Sequence, residues 1–280
     1  MLRVFASPFF LLRQELALWQ RAERQAVFWI RDDDATRMSP EFDKLLKINK
    51  KYSLPMAISV IPKWAGLRLP KVLSEHPDIV VLQHGWSHEN HAQPNVGHSE
   101  FPDNRPPKAV MQDLLMGRMR LEKLYGEQFL HGFVPPWNHI ADVHKPLLKD
   151  YAFLSTQETG LAAPGHLPML PIHVDVLRWS PYPRFRGKGK IIRKVCQELR
   201  LRREQGSDAP IGVQLHHLVM DDASWRFTDQ LLGVLAEHPA IAFLDVRKAD
   251  FLTCPAVVPL QTENIKDFDE NILAFRQKIA

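Results

Sequence analysis

The segment VFWIRDDDA at residues 27–35 joins a short apolar run to three consecutive carboxylates. A run of apolar and aromatic residues this short is typical of a buried strand, predicted here over residues 27–31 and followed by the carboxylates. The same pattern recurs at residues 79–84, IVVLQH, and at residues 211–216, IGVQLH. Polar side chains at the ends of several buried strands are typical of parallel α/β proteins, whose sites form at the carboxyl ends of the strands.

The rest of the sequence continues this alternation. Further strands are predicted at residues 56–61, 131–134, 152–155, 173–179 and 241–246. Helical patterns are predicted at residues 40–52, 66–76, 107–125, 143–150, 187–205 and 224–238. Strands that alternate with helices predict an α/β fold with a mainly parallel sheet. Seven or eight strands in one domain favour a distorted (β/α) barrel, and the sequence has no glycine-rich loop of the Rossmann type.

Three segments are expected along the chain. Residues 1–26 form an N-terminal segment with an amphipathic helix at 9–24, residues 27–254 form the barrel, and residues 255–280 form a tail with a helix at 262–278. The interpretation of the first helix is packing on the domain, with a membrane-surface anchor as the alternative.

Composition narrows the class of protein. Lys and Arg number 36 and Asp and Glu 32, a net charge of +4 that gives little support to a nucleic-acid partner. The basic stretch 184–204 is interpreted as a solvated helix face, with polyanion binding as the alternative.

Two cysteines, Cys196 and Cys254, make no disulfide framework and favour the cytoplasm. No apolar run reaches the ~20 residues of a membrane span, and the oligomeric state stays open.

The first candidate site is the carboxylate cluster Asp32, Asp33 and Asp34, which follows Arg31. Adjacent carboxylates repel one another unless a cation or hydrogen-bond donors offset their charge. A helix N-cap would explain one aspartate but not three in a row. We therefore expect a functional site here.

The second candidate is a pair of histidines, His84 and His88, directly after a predicted strand. Their spacing of four lets two imidazoles converge on one metal ion where the chain turns like a helix. Two imidazoles, one carboxylate and an open position make the site of a metal hydrolase. His91 and His98 are weaker candidate ligands.

Two further elements carry suitable chemistry. The double proline before Trp137 makes a stiff turn that presents the indole as a wall for a sugar ring, although a buried Trp in a plain turn is the alternative. His216 ends a predicted strand and is suited to general acid or base catalysis, whereas a core histidine is the alternative.

These elements, in this order, resemble the polysaccharide deacetylase family, which has the NodB homology domain and is carbohydrate esterase family 4. The resemblance extends from about residue 27 to residue 250. Its five motifs match here at Asp33-Asp34, His84…His88, Pro135-Pro136-Trp137, Asp175…Trp179 and Leu215-His216.

The resemblance implies a distorted barrel, a divalent metal and hydrolysis of an N-acetyl group from a sugar. The metal implied is zinc, with cobalt, nickel or manganese as alternatives. Carried over by position, the implied ligands are Asp34, His84 and His88. Asp33 would be the general base and His216 the general acid.

The same resemblance assigns supporting roles. Asp175 would tune the catalytic histidine, and Trp137 would line the sugar pocket together with Pro136. Trp179 belongs to the same motif as Asp175.

The sequence departs from the family pattern at three positions. The arginine of the third motif, which braces the catalytic aspartate, is Val134; the glycine of the first motif is Ala35; the acidic residue of the fifth motif is His217. Arg31, next to the carboxylates, is a hypothetical replacement for the lost arginine.

Several alternatives stay open. The aligned pair could be Asp32-Asp33 instead of Asp33-Asp34, and His217 could be the acid instead of His216. The substrate could be another small amide, or a nucleotide- or lipid-linked sugar. The chain could also be an inactive carbohydrate-binding member of the family.

Overall fold

The computed structural model describes residues 8–158 and 167–249 of the 280-residue chain. Its helices are α1 (Pro8–Arg21), α2 (Pro40–Tyr52), α3 (Arg68–Leu73), α4 (Pro107–Tyr125), α5 (Lys188–Gln205) and α6 (Asp222–Ala236). Its strands are β1 (Ala26–Ala35), β2 (Met56–Val60), β3 (Ile79–His84), β4 (Phe129–Val134), β5 (Phe153–Leu154), β6 (Val174–Asp175), β7 (Leu177–Arg178), β8 (Arg184–Phe185), β9 (Ile211–Leu215) and β10 (Ile241–Phe243).

The strands form one curled parallel sheet in the order β5-β4-β3-β2-β1-β9-β6, and β10 pairs with the start of β1. Helices cover its convex side, as expected for strands joined by right-handed crossovers. The remaining strands, β7 and β8, make a small antiparallel hairpin. This half-barrel confirms the predicted distorted (β/α) barrel.

The predicted elements differ from the observed ones mainly at their ends. Helices α2 and α4 have the predicted bounds, α3 is shorter than predicted, and residues 142–148 form a 3₁₀ helix with Pro146 inside it. The strand predicted at 173–179 divides because Asp175 accepts a hydrogen bond from the backbone N–H of Leu177 (2.8 Å). The helix predicted at 262–278 and the tail at 255–280 lie outside the described residues.

Apolar side chains fill both sides of the sheet. Inside the barrel, Trp29 and Phe153 are fully buried and pack with neighbouring aliphatic residues. Outside it, α1 inserts Leu12, Leu16 and Trp19, and the indole Nε1 of Trp19 donates to a backbone carbonyl of α5 (3.2 Å). The first helix therefore packs on the domain. No helix among residues 8–158 and 167–249 is long and apolar enough to cross a membrane.

Candidate active site

The carboxylate cluster ends β1, where the strand is irregular. Asp32 pairs with Ile58 of β2, but Ala35 pairs with Val60, so β1 contains one extra residue at this point. This is a β-bulge, which bends a strand and redirects its side chains. Asp34 accordingly has a positive φ of 69°, a conformation that few non-glycine residues adopt.

The bulge explains why two adjacent aspartates reach one cavity. Side chains alternate between the faces of a regular strand, so Arg31 and Asp33 point into the barrel and Asp32 points away. Without the bulge Asp34 would also point away. With it, both Asp33 and Asp34 line a cavity of about 250 Å³ at the carboxyl ends of the strands.

Asp33 is buried and held at one oxygen. Its Oδ2 accepts from Arg31 Nη2 (2.8 Å) and from Gln214 Nε2 (2.6 Å), while its Oδ1 has no hydrogen-bond partner among the described residues. Burial alone would raise the pKa of Asp33, but the positive charge of Arg31 and the nearby histidines lower it overall. The carboxylate is therefore ionised and has one oxygen available for a proton.

Arg31 is itself fixed by neighbours from other strands. Its Nη1 donates to the hydroxyl of Ser155 (2.7 Å), and its Nη2 also donates to the side-chain oxygen of Asn138 (2.6 Å). The guanidinium is completely buried. It thus supplies a fixed positive charge next to Asp33, and its replacement of the arginine lost at Val134 stays a hypothesis.

Asp34, His84 and His88 form a compact group. The Oδ1 of Asp34 lies 3.0 Å from His84 Nε2 and 3.3 Å from His88 Nε2. One ligand atom from each of the three residues lies within 4.8 Å of the others. Burial alone would raise the pKa of Asp34, but hydrogen bonds with the two histidines keep it well below its usual range.

The hydrogen bonding of His84 tests whether a cation fits this group. Its Nδ1 lies 3.0 Å from the carbonyl oxygen of Val134, an atom that only accepts, so Nδ1 carries a proton. Its Nε2 faces the Asp34 carboxylate, and two such electron-rich atoms need a proton or a cation between them. Burial alone would lower the pKa of His84, but the Asp34 carboxylate raises it overall. One carboxylate and two imidazoles beside an open cavity fit a divalent cation.

A buried carboxylate holds the loop that carries His88. Glu100 accepts hydrogen bonds from the backbone N–H groups of Trp86 (3.1 Å), Ser87 (2.7 Å) and His88 (3.2 Å). Three successive N–H groups that converge on one anion form a nest, which positive-φ residues make possible. Gly85 (φ 57°) and His88 (φ 58°) supply that conformation.

His216 stands on the opposite side of the cavity at the end of β9. Its Nε2 lies 3.9 Å from Asp33 Oδ2, and its Nδ1 is buried without a hydrogen-bond partner among the described residues. The Trp179 ring packs edge-on against the imidazole at 4.5 Å between centroids. Asp175 accepts from the indole Nε1 of Trp179 (2.7 Å), so it contacts the histidine's neighbour; whether it tunes the histidine stays a prediction.

The double-proline turn presents Trp137 to the cavity, and its role as a wall for a sugar ring stays a prediction. Trp137 has a φ of 55°, and its ring packs 4.3 Å from that of His88 and 5.5 Å from that of His98. Pro136 is buried and packs against Gly85. Neither His91 nor His98 joins the group of Asp34, which speaks against their being ligands within the described residues.

Asp32 and His217 pair behind the cavity. His217 is fully buried, its Nδ1 lies within hydrogen-bond distance of the Asp32 carboxylate, and its backbone N–H donates to the same carboxylate (2.9 Å). Neither residue lines the cavity, which is lined by Asp33, Asp34, His84, His88, Trp137, Asn138, Gln157, Trp179, Gln214 and His216. Asp33, Asp34 and His216 therefore line the cavity whereas Asp32 and His217 do not, and which of them act in catalysis stays a prediction.

Sequence reasoning missed Gln214, Asn138 and Gln157 of the cavity lining, and Glu100, which holds the loop of His88. Gln214 was predictable, because strand alternation puts it on the same face as His216. Asn138 directly follows Trp137 and carried no signal of its own. Glu100 is 12 residues beyond His88 in a long loop, and no periodicity marks it.

The architecture is that of the carbohydrate esterase family 4 deacetylases, and comparison with solved structures supports this. A Mycobacterium smegmatis protein assigned as a polysaccharide deacetylase is 16% identical with a TM-score of 0.56, over 78% of this chain and 86% of its own. A mutant of the peptidoglycan deacetylase PdaC from Bacillus subtilis is 16% identical with a TM-score of 0.52, over 90% of this chain and 97% of its own.

A pseudoenzyme of the same family also has this fold. The protein, from Bacillus anthracis, is 13% identical with a TM-score of 0.51, over 79% of this chain and 64% of its own. No protein-family model and no curated protein matches the sequence. At these identities the similarity shows the fold, and at that level the predicted resemblance is confirmed.

Proposed function

We propose that the protein is a metal-dependent hydrolase that removes the acetyl group from an N-acetylated sugar, as a member of the polysaccharide deacetylase family. The observation that carries this proposal is the convergence of Asp33, His216 and the Asp-His-His group on one cavity of about 250 Å³. The fold shared with known deacetylases supports it. The substrate in this proposal is a carbohydrate or another small amide.

The proposed metal ligands are Asp34, His84 and His88. A divalent cation held there would supply Lewis acidity for the amide carbonyl oxygen and make a nearby water easier to deprotonate. Zinc suits two imidazoles and one carboxylate with an open position, and cobalt, nickel and manganese are the alternatives.

Asp33 and His216 carry the two proton transfers of the proposal. Asp33 accepts the proton of the attacking water at Oδ1, while Arg31 and Gln214 hold Oδ2 in place. His216 donates a proton to the leaving nitrogen, because an amine anion is too poor a leaving group. The two side chains approach to 3.9 Å, so one amide can lie within reach of both.

Two indoles are the proposed walls of the sugar pocket. Trp137 and Trp179 both line the cavity and are partly exposed, so each can pack against the apolar face of a pyranose ring. The side-chain amides of Asn138 and Gln157 line the same cavity and can hydrogen-bond to sugar hydroxyls.

The test combines metal analysis with acetate release from N-acetylglucosamine and its oligomers. We expect about one divalent ion per chain, lost in His84→Ala and retained in Asp33→Asn, whose kcat falls by roughly 10²–10⁴. His91→Ala, a neighbouring histidine outside the group, is the matched control and keeps both properties. A full rate in metal-loaded Asp33→Asn would refute the base, and a chain that binds no divalent ion would refute the hydrolase.

A second candidate is an inactive carbohydrate-binding protein. Val134 in place of the family's arginine favours it, and one structural neighbour is a pseudoenzyme. This candidate predicts that N-acetyl sugars bind to the metal-loaded protein with no release of acetate. A panel of small amides beside the sugars separates a sugar deacetylase from a hydrolase of other C–N bonds.

The proposal includes a cytoplasmic location, which rests on the low cysteine content. Among the described residues Cys196 is a free thiol, and burial raises its pKa to about 11, so it is mostly in the unreactive thiol form at neutral pH. Fractionation of cells that express the chain tests the location.

A further inference from the structure

Exposed apolar side chains gather around the mouth of the cavity. They lie on the loops that follow β2, β3, β4, β7 and β9, and exposed apolar residues that group together often mark a binding site. The residues of this apolar collar are Trp64, Leu67, Val96, Trp137, Trp179, Tyr182, Leu218 and Val219.

Backbone contacts tie the collar to the site residues. The indole Nε1 of Trp64 donates to the carbonyl of Ser87 (2.9 Å), next to His88. The N–H of Gly66 donates to the carbonyl of Thr36 (2.7 Å), which puts the following residue, Leu67, beside the end of β1.

The other side of the mouth has similar contacts. Leu218 and Val219 follow His216 in one turn, closed by a hydrogen bond from the N–H of Val219 to the carbonyl of His216 (3.1 Å). Tyr182 lies in the β7–β8 hairpin with Trp179. The collar therefore has members on several sides of the opening.

The size of the cavity indicates what must cover the collar. A volume of about 250 Å³ lies below the ~300–1,000 Å³ of pockets for drug-sized ligands and suits little more than one sugar ring. Whatever is attached to the reacting sugar must consequently extend over the mouth.

The aliphatic members of the collar indicate the chemistry of that attachment. Leu67 is 79% exposed and Leu218 46% exposed. Neither offers a flat aromatic face or a polar atom to a second sugar ring. Both would lose exposed apolar area by covering a hydrocarbon chain, and tryptophan and tyrosine are suited to the boundary between apolar and polar groups.

We propose that the substrate is an amphiphile, an N-acylated sugar joined to a hydrocarbon group, and that this hydrocarbon lies on the apolar collar while the sugar fills the cavity. This inference rests on the proposed deacetylase function and specifies its substrate class. It distinguishes the protein from an enzyme for long polysaccharides, whose neighbouring subsites would need polar groups for successive sugar hydroxyls.

The test compares matched glycosides of N-acetylglucosamine. The methyl and octyl β-glycosides share the sugar and differ only in the hydrocarbon, and an N-acetylglucosamine tetramer represents the polymer. Each is assayed below the critical micelle concentration, for binding by calorimetry and for acetate release. We expect the octyl glycoside to bind at least tenfold more tightly than the methyl glycoside, because each methylene that leaves water contributes roughly fourfold.

Collar variants connect the preference to these residues. Leu67→Ser and Leu218→Ser, singly and together, should reduce the octyl preference to threefold or less and leave methyl glycoside binding unchanged. Leu11→Ser, at a leucine of α1 that is as exposed as Leu218 and lies outside the collar, is the matched control and should keep the preference.

The outcomes separate this inference from the proposed function. A preference for the octyl glycoside that the collar variants abolish supports the inference. It does so even if no acetate is released, although the absence of acetate release would refute the deacetylase. Equal binding of the octyl and methyl glycosides, a preference for the tetramer, or a preference that survives in the double variant overturns the inference while leaving deacetylation intact. Binding to phosphatidylcholine vesicles without any sugar would also overturn it, by assigning the collar to a membrane surface.

Discussion

Replacing Glu100 should weaken metal binding, although this residue is not one of the three proposed ligands Asp34, His84 and His88. Its carboxylate accepts from three successive backbone N–H groups, including that of His88, and from the Ser87 hydroxyl (3.2 Å). In Glu100→Gln one of the two accepting oxygens becomes an NH₂ group, which is a donor and cannot accept from the backbone N–H groups that it faces. At least one buried N–H then has no acceptor.

The expected magnitude follows from that lost acceptor. A buried donor without a partner costs about 1–3 kcal/mol, and the loop can relieve the cost by moving His88 away from Asp34. A coupling of that size corresponds to roughly 5–150-fold in affinity, close to the 10–100-fold that outer partners of metal ligands typically contribute. We therefore expect Glu100→Gln to bind Zn²⁺ and Co²⁺ at least tenfold more weakly than the wild-type protein.

The assay is competition for Zn²⁺ and Co²⁺ against a chelating dye, with the Co²⁺ absorption spectrum as a report on ligand geometry. Glu89→Gln is the matched control, since it removes the same charge from the same loop, where Glu89 is exposed and forms an ion pair with Lys63 (2.7 Å). Glu100→Asp keeps the charge but shortens the reach and should fall between the two. A folded Glu100→Gln variant with wild-type affinity and spectrum would refute the reasoning.

Three further outcomes are expected. Arg31→Met leaves the buried Asp33 carboxylate without its ion pair and should lower the free energy of unfolding by about 3–5 kcal/mol in urea titrations. Lys145→Met, which breaks an exposed pair with Asp142, should cost about 1 kcal/mol or less, and equal effects would contradict this. In Gly85→Ala the added Cβ would collide with Glu100 Oε2 at a φ of +57°, so dye competition should show at least tenfold weaker Zn²⁺ binding. Wild-type affinity would be inconsistent with the nest. Chelator treatment should lower the melting temperature reversibly. A ligand that binds only the folded state stabilises that state by about 4 kcal/mol when its concentration is 1,000 times its Kd. An unchanged melting temperature would argue against a bound metal.

The order of the elements was predictable because it rests on local patterns. Apolar runs such as IVVLQ at residues 79–83 are too short for a helix and are bounded by polar residues, so they could be assigned as strands. The single strand predicted at 173–179 was wrong, because the Asp175 side chain accepts the hydrogen bond of the Leu177 N–H in place of a backbone carbonyl of a neighbouring strand. Such competition depends on rotamers that the sequence pattern does not contain.

The site was predictable in part. Clusters at strand ends located Asp33, Asp34, His84 and His216, because parallel strands bring their carboxyl ends to one edge. The bulge that turns Asp34 toward Asp33 depends on how β1 pairs with β2, and nothing in the sequence of β1 marks it. Contacts made by long loops could not be predicted either, because local sequence patterns do not indicate them.

Arg31 changes how the departure at Val134 should be interpreted. Val134 is fully buried in the apolar interior of the barrel, and no charge reaches Asp33 from that position. Arg31 lies two residues before Asp33 on the same face of β1, and its guanidinium contacts the carboxylate at 2.8 Å. The positive charge thus comes from within the strand that carries the aspartate, and it keeps the pKa of that aspartate below its usual value despite burial. An inactive scaffold has no need to keep a buried carboxylate ionised at a cost in desolvation, so the loss of the family's arginine alone is a weak argument for inactivity.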